Sequence, residues 1–279
     1  MKTVHTIDKV RAKVNEWKSQ GYSVGFVPTM GFLHEGHQSL ITRSVSENDK
    51  TVVSIFVNPM QFAPSEDLES YPRDLQADEK LCRDSGVDLI FNPTPEEMYP
   101  DGFCSYINMT GPSQGLCAKT RPIHFKGVCT VVGKLFNIVA PQRAYFGQKD
   151  AQQLAVIKRM VKDLGFPIEI VGCPIIREED GLAKSSRNTY LNEQERQAAL
   201  ILSKTLKIAQ DLIDRGVTDS EKLTKSLEEN IKTEPLARID YIEIVGADDM
   251  KPKDTVTSGT MIAMAVYIGK TRLIDNIII

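Results

Sequence analysis

The 279-residue sequence predicts an α/β protein: a largely parallel sheet covered by helices, followed by a smaller α+β domain. Short runs rich in Val, Ile, Phe and Tyr alternate with helix-like segments over the first two thirds, and that alternation favours parallel strands joined by helices. Near residue 177 the alternation stops, and two helical stretches are followed by three β-like runs. The domains are therefore drawn at 1–176 and 177–279.

The strand candidates are YSVGFV at 22–27, TVVSIFV at 51–57, VDLIF at 87–91, RAYFG at 143–147 and IEIVG at 168–172. Each has the β-branched and aromatic content that fits a pleated, buried surface. HQSLITRSVSEN, after the first run, has helical spacing. In DAQQLAVIKRMVKDLG, Leu154, Ile157, Val161 and Leu164 fall on one helical face, and Gly165 is placed to end the helix. REEDGLAKSSRNTYL, at 177–191, is polar and contains no strand. One helix is expected over NEQERQAALILSKTLKIAQDLIDRG and another over DSEKLTKSLEENIKT. IDYIEIVG, GTMIAMAVYIG and TRLIDNIII then read as antiparallel strands.

A formal net charge of −3 argues against a general nucleic-acid binder, which carries a basic excess. The start of the chain, MKTVHTIDKV, lacks the apolar core of a signal peptide. The greasiest stretch, GVCTVVGKLFNIVAP, contains Lys134 and is too short to span a bilayer. Five cysteines, none in CxxC spacing, read as free thiols in a reducing cytoplasm, with no membrane partner and no zinc site of their own.

Two of the four histidines, His34 and His37, lie in PTMGFLHEGHQSL at 28–40, between Gly31 and Gly36. The turn leaves a strand and opens a helix, where unpaired backbone N–H groups attract anions. At i, i+3 both rings can donate to phosphate oxygens and stabilise charge in a transition state without acting as a base. The same spacing can hold a metal, although Glu35 is the nearest third ligand and points elsewhere.

Three further stretches share this chemistry. FVNPMQF at 56–62 ends a strand with two amides, Asn58 and Gln61, suited to a hydroxyl or a carboxylate. FGQKDAQQL at 146–154 repeats the strand-to-helix theme; Asp150 either caps the helix or takes a ribose diol, and Lys149 faces an anion or solvent. DGLAKSSRN at 180–188 gathers Lys184, Ser185, Ser186 and Arg187, as a polyphosphate grip or a solvated linker. Its polarity leaves little apolar surface to bury, so it reads as mobile. RPIHFKG at 121–127 adds Arg121, His124 and Lys126 ahead of an apolar helix.

In their order, PTMGFLHEGH, FVNPMQF, YPRDLQAD, HFKGVCTVV, FGQKDAQQL and DGLAKSSRN resemble the pantoate–β-alanine ligase family of the HxGH nucleotidyltransferases. The resemblance implies a Rossmann-like N-terminal domain and a C-terminal lid in a cytoplasmic homodimer. It implies ATP, pantoate and β-alanine as substrates, Mg²⁺ accompanying ATP, and a pantoyl-adenylate intermediate that releases AMP and pyrophosphate. It implies that His34, His37, Lys149, Ser185 and Arg187 serve catalysis. Met30, Gln61 and Gln153 would hold pantoate, with Asn58 and Arg121 in the same pocket. Pro28, Met30, His37, Gly147, Gln148, Lys149, Asp150, Ile176, Lys184, Ser185, Ser186 and Arg187 would contact ATP, and Asp78 would lie on the metal side.

Two positions depart from the family pattern. Ile123 replaces a glycine, so a turn needing positive φ before His124 would be altered. Lys184 replaces a methionine and adds a cation to the loop. Two rival readings remain, a nucleotidyltransferase for a phosphate-bearing acceptor and a non-catalytic nucleotide- or tRNA-binding module. The first wants a basic acceptor pocket where this chain offers Gln61 and Gln153, and the second wants an aromatic-basic stripe that the sequence lacks.

Overall fold

The computed structural model describes residues 1–64 and 66–279. Its strands are β1 (Lys2–Val4), β2 (Val24–Thr29), β3 (Lys50–Ile55), β4 (Leu89–Phe91), β5 (Arg143–Gly147), β6 (Glu169–Cys173), β7 (Ala237–Gly246), β8 (Thr260–Ile268) and β9 (Thr271–Ile278). Its helices are α1 (Ile7–Ser19), α2 (Glu35–Glu47), α3 (Leu75–Asp84), α4 (Pro95–Met98), α5 (Cys117–Thr120), α6 (His124–Val139), α7 (Ala151–Leu164), α8 (Glu193–Ala198), α9 (Leu200–Asp214) and α10 (Ser220–Ile231).

The chain forms two compact units, one of Met1–Thr110, Arg121–Gln148 and Val156–Pro174, the other of Gly111–Thr120, Lys149–Ala155 and Ile175–Ile279. Two short segments thus leave the linear order to join the C-terminal unit, which no local pattern in the sequence signals.

In the first unit β1 to β6 form one sheet in the order β1-β4-β3-β2-β5-β6, and every pairing is parallel. The expected α/β class holds, and the five predicted strands are β2 to β6. Helices cover both faces because successive strand residues point opposite ways. Phe26 meets Phe136 of α6 on one face, while Val27 packs with Ile41 of α2, Val53 and Ile90 on the other. All of these are at most 1% exposed, and each such side chain contributes roughly 1.5–3 kcal/mol by leaving water. From β2 the chain runs outward to β3 and β4, and β5 and β6 are added on the other side of β2. Ligands of such sheets bind beyond the strand ends where the order reverses, here after β2 and β5. Pairing of β2 with β5 covers only Gly25 and Phe26, so Pro28 lies past that ladder, where its missing N–H does no harm.

The second unit packs β7, β8 and β9, all antiparallel, against α9 and α10. Its α+β order agrees with expectation. The long helix expected over 192–216 is instead α8 and α9, divided at Ala199 although that residue keeps helical dihedrals. Asn192 opens α8 with a reciprocal capping box to Glu195.

Two local expectations need correction. Leu164 does not join Leu154, Ile157 and Val161 in the core; it is 55% exposed as the last residue of α7, and Gly165 then turns the chain at φ +65°. DGLAKSSRN is not without apolar anchorage. Leu182 and Ala183 are buried, Leu182 within the core of the second unit, and Ala183 bridges back to Arg177. Among the described residues no helix is long and apolar enough to cross a membrane, and all five cysteines are free thiols.

Candidate active site

The chain leaves β2 through Met30, Gly31 and Phe32, the last two in the left-handed region at φ +84° and +51°. A non-glycine residue there costs about 1–2 kcal/mol, so something must hold the turn. Thr29 Oγ1 accepts from Gly31 N–H at 3.2 Å and donates to the Ser54 carbonyl at 2.7 Å. Asp78, in the first turn of α3, accepts from Phe32 N–H at 2.9 Å and Leu33 N–H at 2.6 Å.

His34 is then the N-cap of α2. Its Nδ1 accepts from Gly36 N–H at 3.1 Å, and His37 Nδ1 accepts from His34 N–H at 3.3 Å. The pair forms a capping box in which imidazoles take the parts of the usual Ser and Glu. Their ring centroids are 4.1 Å apart at 43°. A nitrogen that accepts an N–H bond carries no proton, so each neutral ring carries its proton on Nε2. The backbone thus selects a tautomer that makes both histidines neutral donors at a helix N-terminus, where negative charge is favoured.

After β3, Asn58 caps a 3₁₀ turn over Pro59–Gln61. Gln61, 7% exposed, donates from Nε2 to Met30 Sδ at 3.2 Å and accepts at Oε1 from Asn58 Nδ2 at 3.0 Å. Asn58 Nδ2 also donates to the Gly127 carbonyl, while its Oδ1 accepts from Met60 N–H and from Tyr99 Oη. A Cβ on Gly127 would stand 2.4 Å from the Met60 carbonyl oxygen and 2.6 Å from Gln61 Cα, so only glycine lets α6 approach this turn. His124 links Gln61 to Arg121: its Nδ1 lies 3.2 Å from the Gln61 carbonyl and its Nε2 3.2 Å from Arg121 Nη1. Arg121 also pairs with Glu66 through Nε and Nη2, at 3.0 and 2.5 Å.

In the second unit Lys149 lies beside Asp150, with Nζ 3.8 Å from the carboxylate, and Asn276 Nδ2 donates to the Lys149 carbonyl. Ser185 caps a 3₁₀ turn over Ser186–Tyr190 by accepting from Arg187 N–H at 3.3 Å. Arg196 donates to Glu178 at 2.6 Å and lies 2.8 Å from Asp180, and Asn188 Nδ2 donates to Glu178 and to the Ala183 carbonyl. Burial pushes the Glu178 carboxyl up, but the hydrogen bonds from Asn188 and Arg196 outweigh it and hold the group below its ordinary value. Arg196 is also the main cause of a lowered Asp180. Lys184 Nζ lies 3.8 Å from Glu178, so the extra cation faces a carboxylate.

Residues 2–278 match the family model described as pantoate-beta-alanine ligase. The chain belongs to the pantoate–β-alanine ligase family. A pantothenate synthetase of Ruminiclostridium cellulolyticum is 60% identical over 99% of this chain and 98% of its own length. One from Enterococcus faecalis is 58% identical over 97% and 96%. The crystal structure of pantothenate synthetase from Thermus thermophilus superposes with a TM-score of 0.95 at 45% identity, covering 99% of both chains. Pantoate-beta-alanine ligase from Francisella tularensis, complexed with beta-gamma ATP and beta-alanine, gives 0.82 at 37%, over 100% of this chain and 97% of that one.

Within this ligase family fold, several expected residues are placed differently from their sequence reading. Asp78 does not suit the metal side. It is 2% exposed, both its oxygens serve backbone N–H groups, and burial pushes its carboxyl up against the opposing pull of those bonds. Among the described residues no group of three His, Cys, Asp or Glu side chains is arranged to hold a metal ion. Asn58 is 1% exposed, and its amide is engaged by Gln61, the Gly127 carbonyl, Met60 N–H and Tyr99 Oη. Ile123 has φ −92° and ψ −11°, so the turn before His124 requires no glycine. Tyr99 and Glu66 escaped the sequence reading; their partners lie 41 and 55 residues away, beyond any local motif.

Proposed function

We propose that this ligase condenses pantoate with β-alanine at the expense of ATP, through a pantoyl adenylate, releasing AMP and pyrophosphate. A carboxylate is a poor acyl donor because oxide would have to leave. Adenylation makes AMP the leaving group, and the β-alanine amine then attacks the acyl carbon. The observation that carries this reading is the imidazole pair with both Nδ1 atoms taken by backbone N–H, on the turn whose Met30 contacts the Gln61 amide. Two neutral Nε2–H donors suit charge building on a phosphate during adenylate formation, and preorganised donors of this kind are worth several kcal/mol of barrier.

Met30, Gln61 and Gln153 hold pantoate in this reading. Asn58 and His124 support the Gln61 turn, and Arg121, paired with Glu66, supplies the neighbouring cation. His34 and His37 serve the α-phosphate, and Lys149, Lys184, Ser185, Ser186 and Arg187 serve the phosphate chain. Gly147, Gln148 and Asp150 take the ribose side, while Pro28 and Ile176 border the nucleotide. Mg²⁺ would come as part of the ATP substrate and, when bound, would neutralise charge on the triphosphate beside the residues assigned to the phosphate chain. A cytoplasmic homodimer belongs to the same reading, and light scattering measures the dimer.

Pyrophosphate exchange into ATP, with pantoate added or withheld, tests the proposal. Exchange that requires pantoate is expected. Exchange indifferent to pantoate, or driven by a phosphate-bearing acceptor, overturns it.

A further inference from the structure

We propose that Asp78 is a positioning residue for adenylate formation: its carboxylate holds the backbone turn that aims His34 and His37. This rests on the ligase reading above and adds to it a part that the substrates never touch.

Consecutive left-handed residues at Gly31 and Phe32 send two successive amide N–H groups, those of Phe32 and Leu33, toward one side of the chain. Such a concavity binds an anion, and here the anion is the protein's own. Asp78 Oδ2 takes one N–H and Oδ1 the other, so the carboxylate straddles the turn. The fit is tight, since a Cβ on Gly31 would stand 3.0 Å from Asp78 Oδ2 and 2.9 Å from Ile55 Cγ2. The next residue after Leu33 is His34, whose N–H and ring begin the capping box that fixes both imidazole tautomers. A shift of the turn therefore passes directly into the two donors.

The chemistry requires a carboxylate. Two donors converge on one side chain, and an amide would turn its own NH₂ toward one of them. Burial to 2% exposure, with both oxygens engaged, leaves no oxygen directed outward to a metal–phosphate complex. Asp78 acts on the reaction through the histidines.

Asp78→Asn and Asp78→Glu separate positioning from metal ligation. Asp78→Asn is expected to slow pantoate-dependent pyrophosphate exchange at least tenfold at saturating substrates. The half-saturating Mg²⁺ concentration and the KM for ATP stay within twofold of the parent. Asp78→Glu, which keeps an anion with two acceptors, recovers part of the rate. Nitrogen-15 spectra of the four imidazoles give a readout independent of turnover. Two rings, those lost in His34→Ala and His37→Ala, show a bare Nδ1 in the parent and a tautomer mixture in Asp78→Asn. Exchange within twofold of the parent overturns the proposal, and so does a rate restored by tenfold more Mg²⁺. Should Asp78→Asn fail to fold, Gly31→Ala presses the same turn off the carboxylate from the other side. It must show the same rate-selective loss, and an unchanged rate refutes the idea. If the parent itself lacks pantoate-dependent exchange, the ligase reading falls, while the imidazole spectra still decide whether Asp78 sets the tautomers.

Discussion

Replacing His37 by alanine separates the two tasks its ring performs. The ring contributes one capping bond, Nδ1 accepting from His34 N–H at 3.3 Å, and one Nε2–H donor. Loss of a cap costs about 1 kcal/mol, a fall in Tm of roughly 2–4 °C for a chain of this size. Loss of a preorganised donor to developing charge costs roughly 10²–10³ in rate, or about 2.7–4 kcal/mol of barrier. The kinetic effect should thus exceed the stability effect about threefold in free energy. Single-turnover formation of the adenylate, followed by rapid quench beside a thermal melt, measures both. His37→Asn sharpens the comparison. Its side-chain oxygen can still accept from His34 N–H, so Tm returns toward the parent, yet it lacks a donor at the Nε2 position and the rate stays low. A parent-like adenylation rate in His37→Ala would refute the phosphate role. A rate recovered in His37→Asn would mean that the cap, not the donor, had mattered.

Gln61→Ala should weaken pantoate binding far more than ATP binding in calorimetric titration, because a buried amide shaped to one ligand acts mainly through it; equal losses would point to a collapsed turn. Hydrogen exchange should find Leu182 and Ala183 protected without nucleotide, and Ser185 to Arg187 protected further by a non-hydrolysable ATP analogue, with Arg187→Lys failing to restore that gain because a point charge cannot reproduce the planar fork. Glu178 and Asp180 are both held below their ordinary values, so their stabilisation is complete above the ordinary carboxylate range and is lost as pH falls through and below it. Acid melts of Arg196→Ala, which loses the partner shared by both groups, should show lower stability at neutral pH and a flatter fall between about pH 5 and 3.

The parallel sheet was readable because each buried strand carries its own β-branched and aromatic run, as in TVVSIFV and RAYFG. The histidine turn was readable too, since strand, glycines and helix start are adjacent in sequence. What could not be read is whatever depends on a partner far along the chain. Asp78 looks like an available carboxylate until the N–H groups 45 and 46 residues earlier close on it. Asn58 and Gln61 look alike in FVNPMQF, and only Tyr99 and the Gly127 carbonyl reveal that the first supports the second. Leu164 satisfies the helical period of α7 yet lies at its last turn, where the core has ended. In DGLAKSSRN polarity concealed one leucine, and Leu182 is enough to anchor the segment.

The interleaving of the two units sets a timetable for synthesis. The chain passes from one unit to the other after Thr110, Thr120, Gln148, Ala155 and Pro174. Leu116, Ala151 and Ala155 share a core cluster with Val245, Met250, Met261 and Ala263. When Leu116 is added to the growing chain, Val245 is still about 130 residues from being made, a wait on the order of ten seconds at ordinary elongation rates. Until then Leu116, Ala151 and Ala155 lack that part of their cover. A chain cut after residue 176 keeps those residues but never receives their partners, so it should emerge sticky and chaperone-bound. The fragment 177–279 has the opposite defect, a sheet missing part of its covering layer. Expressed separately, neither half should fold as a clean domain, whereas the two co-expressed should recover structure together.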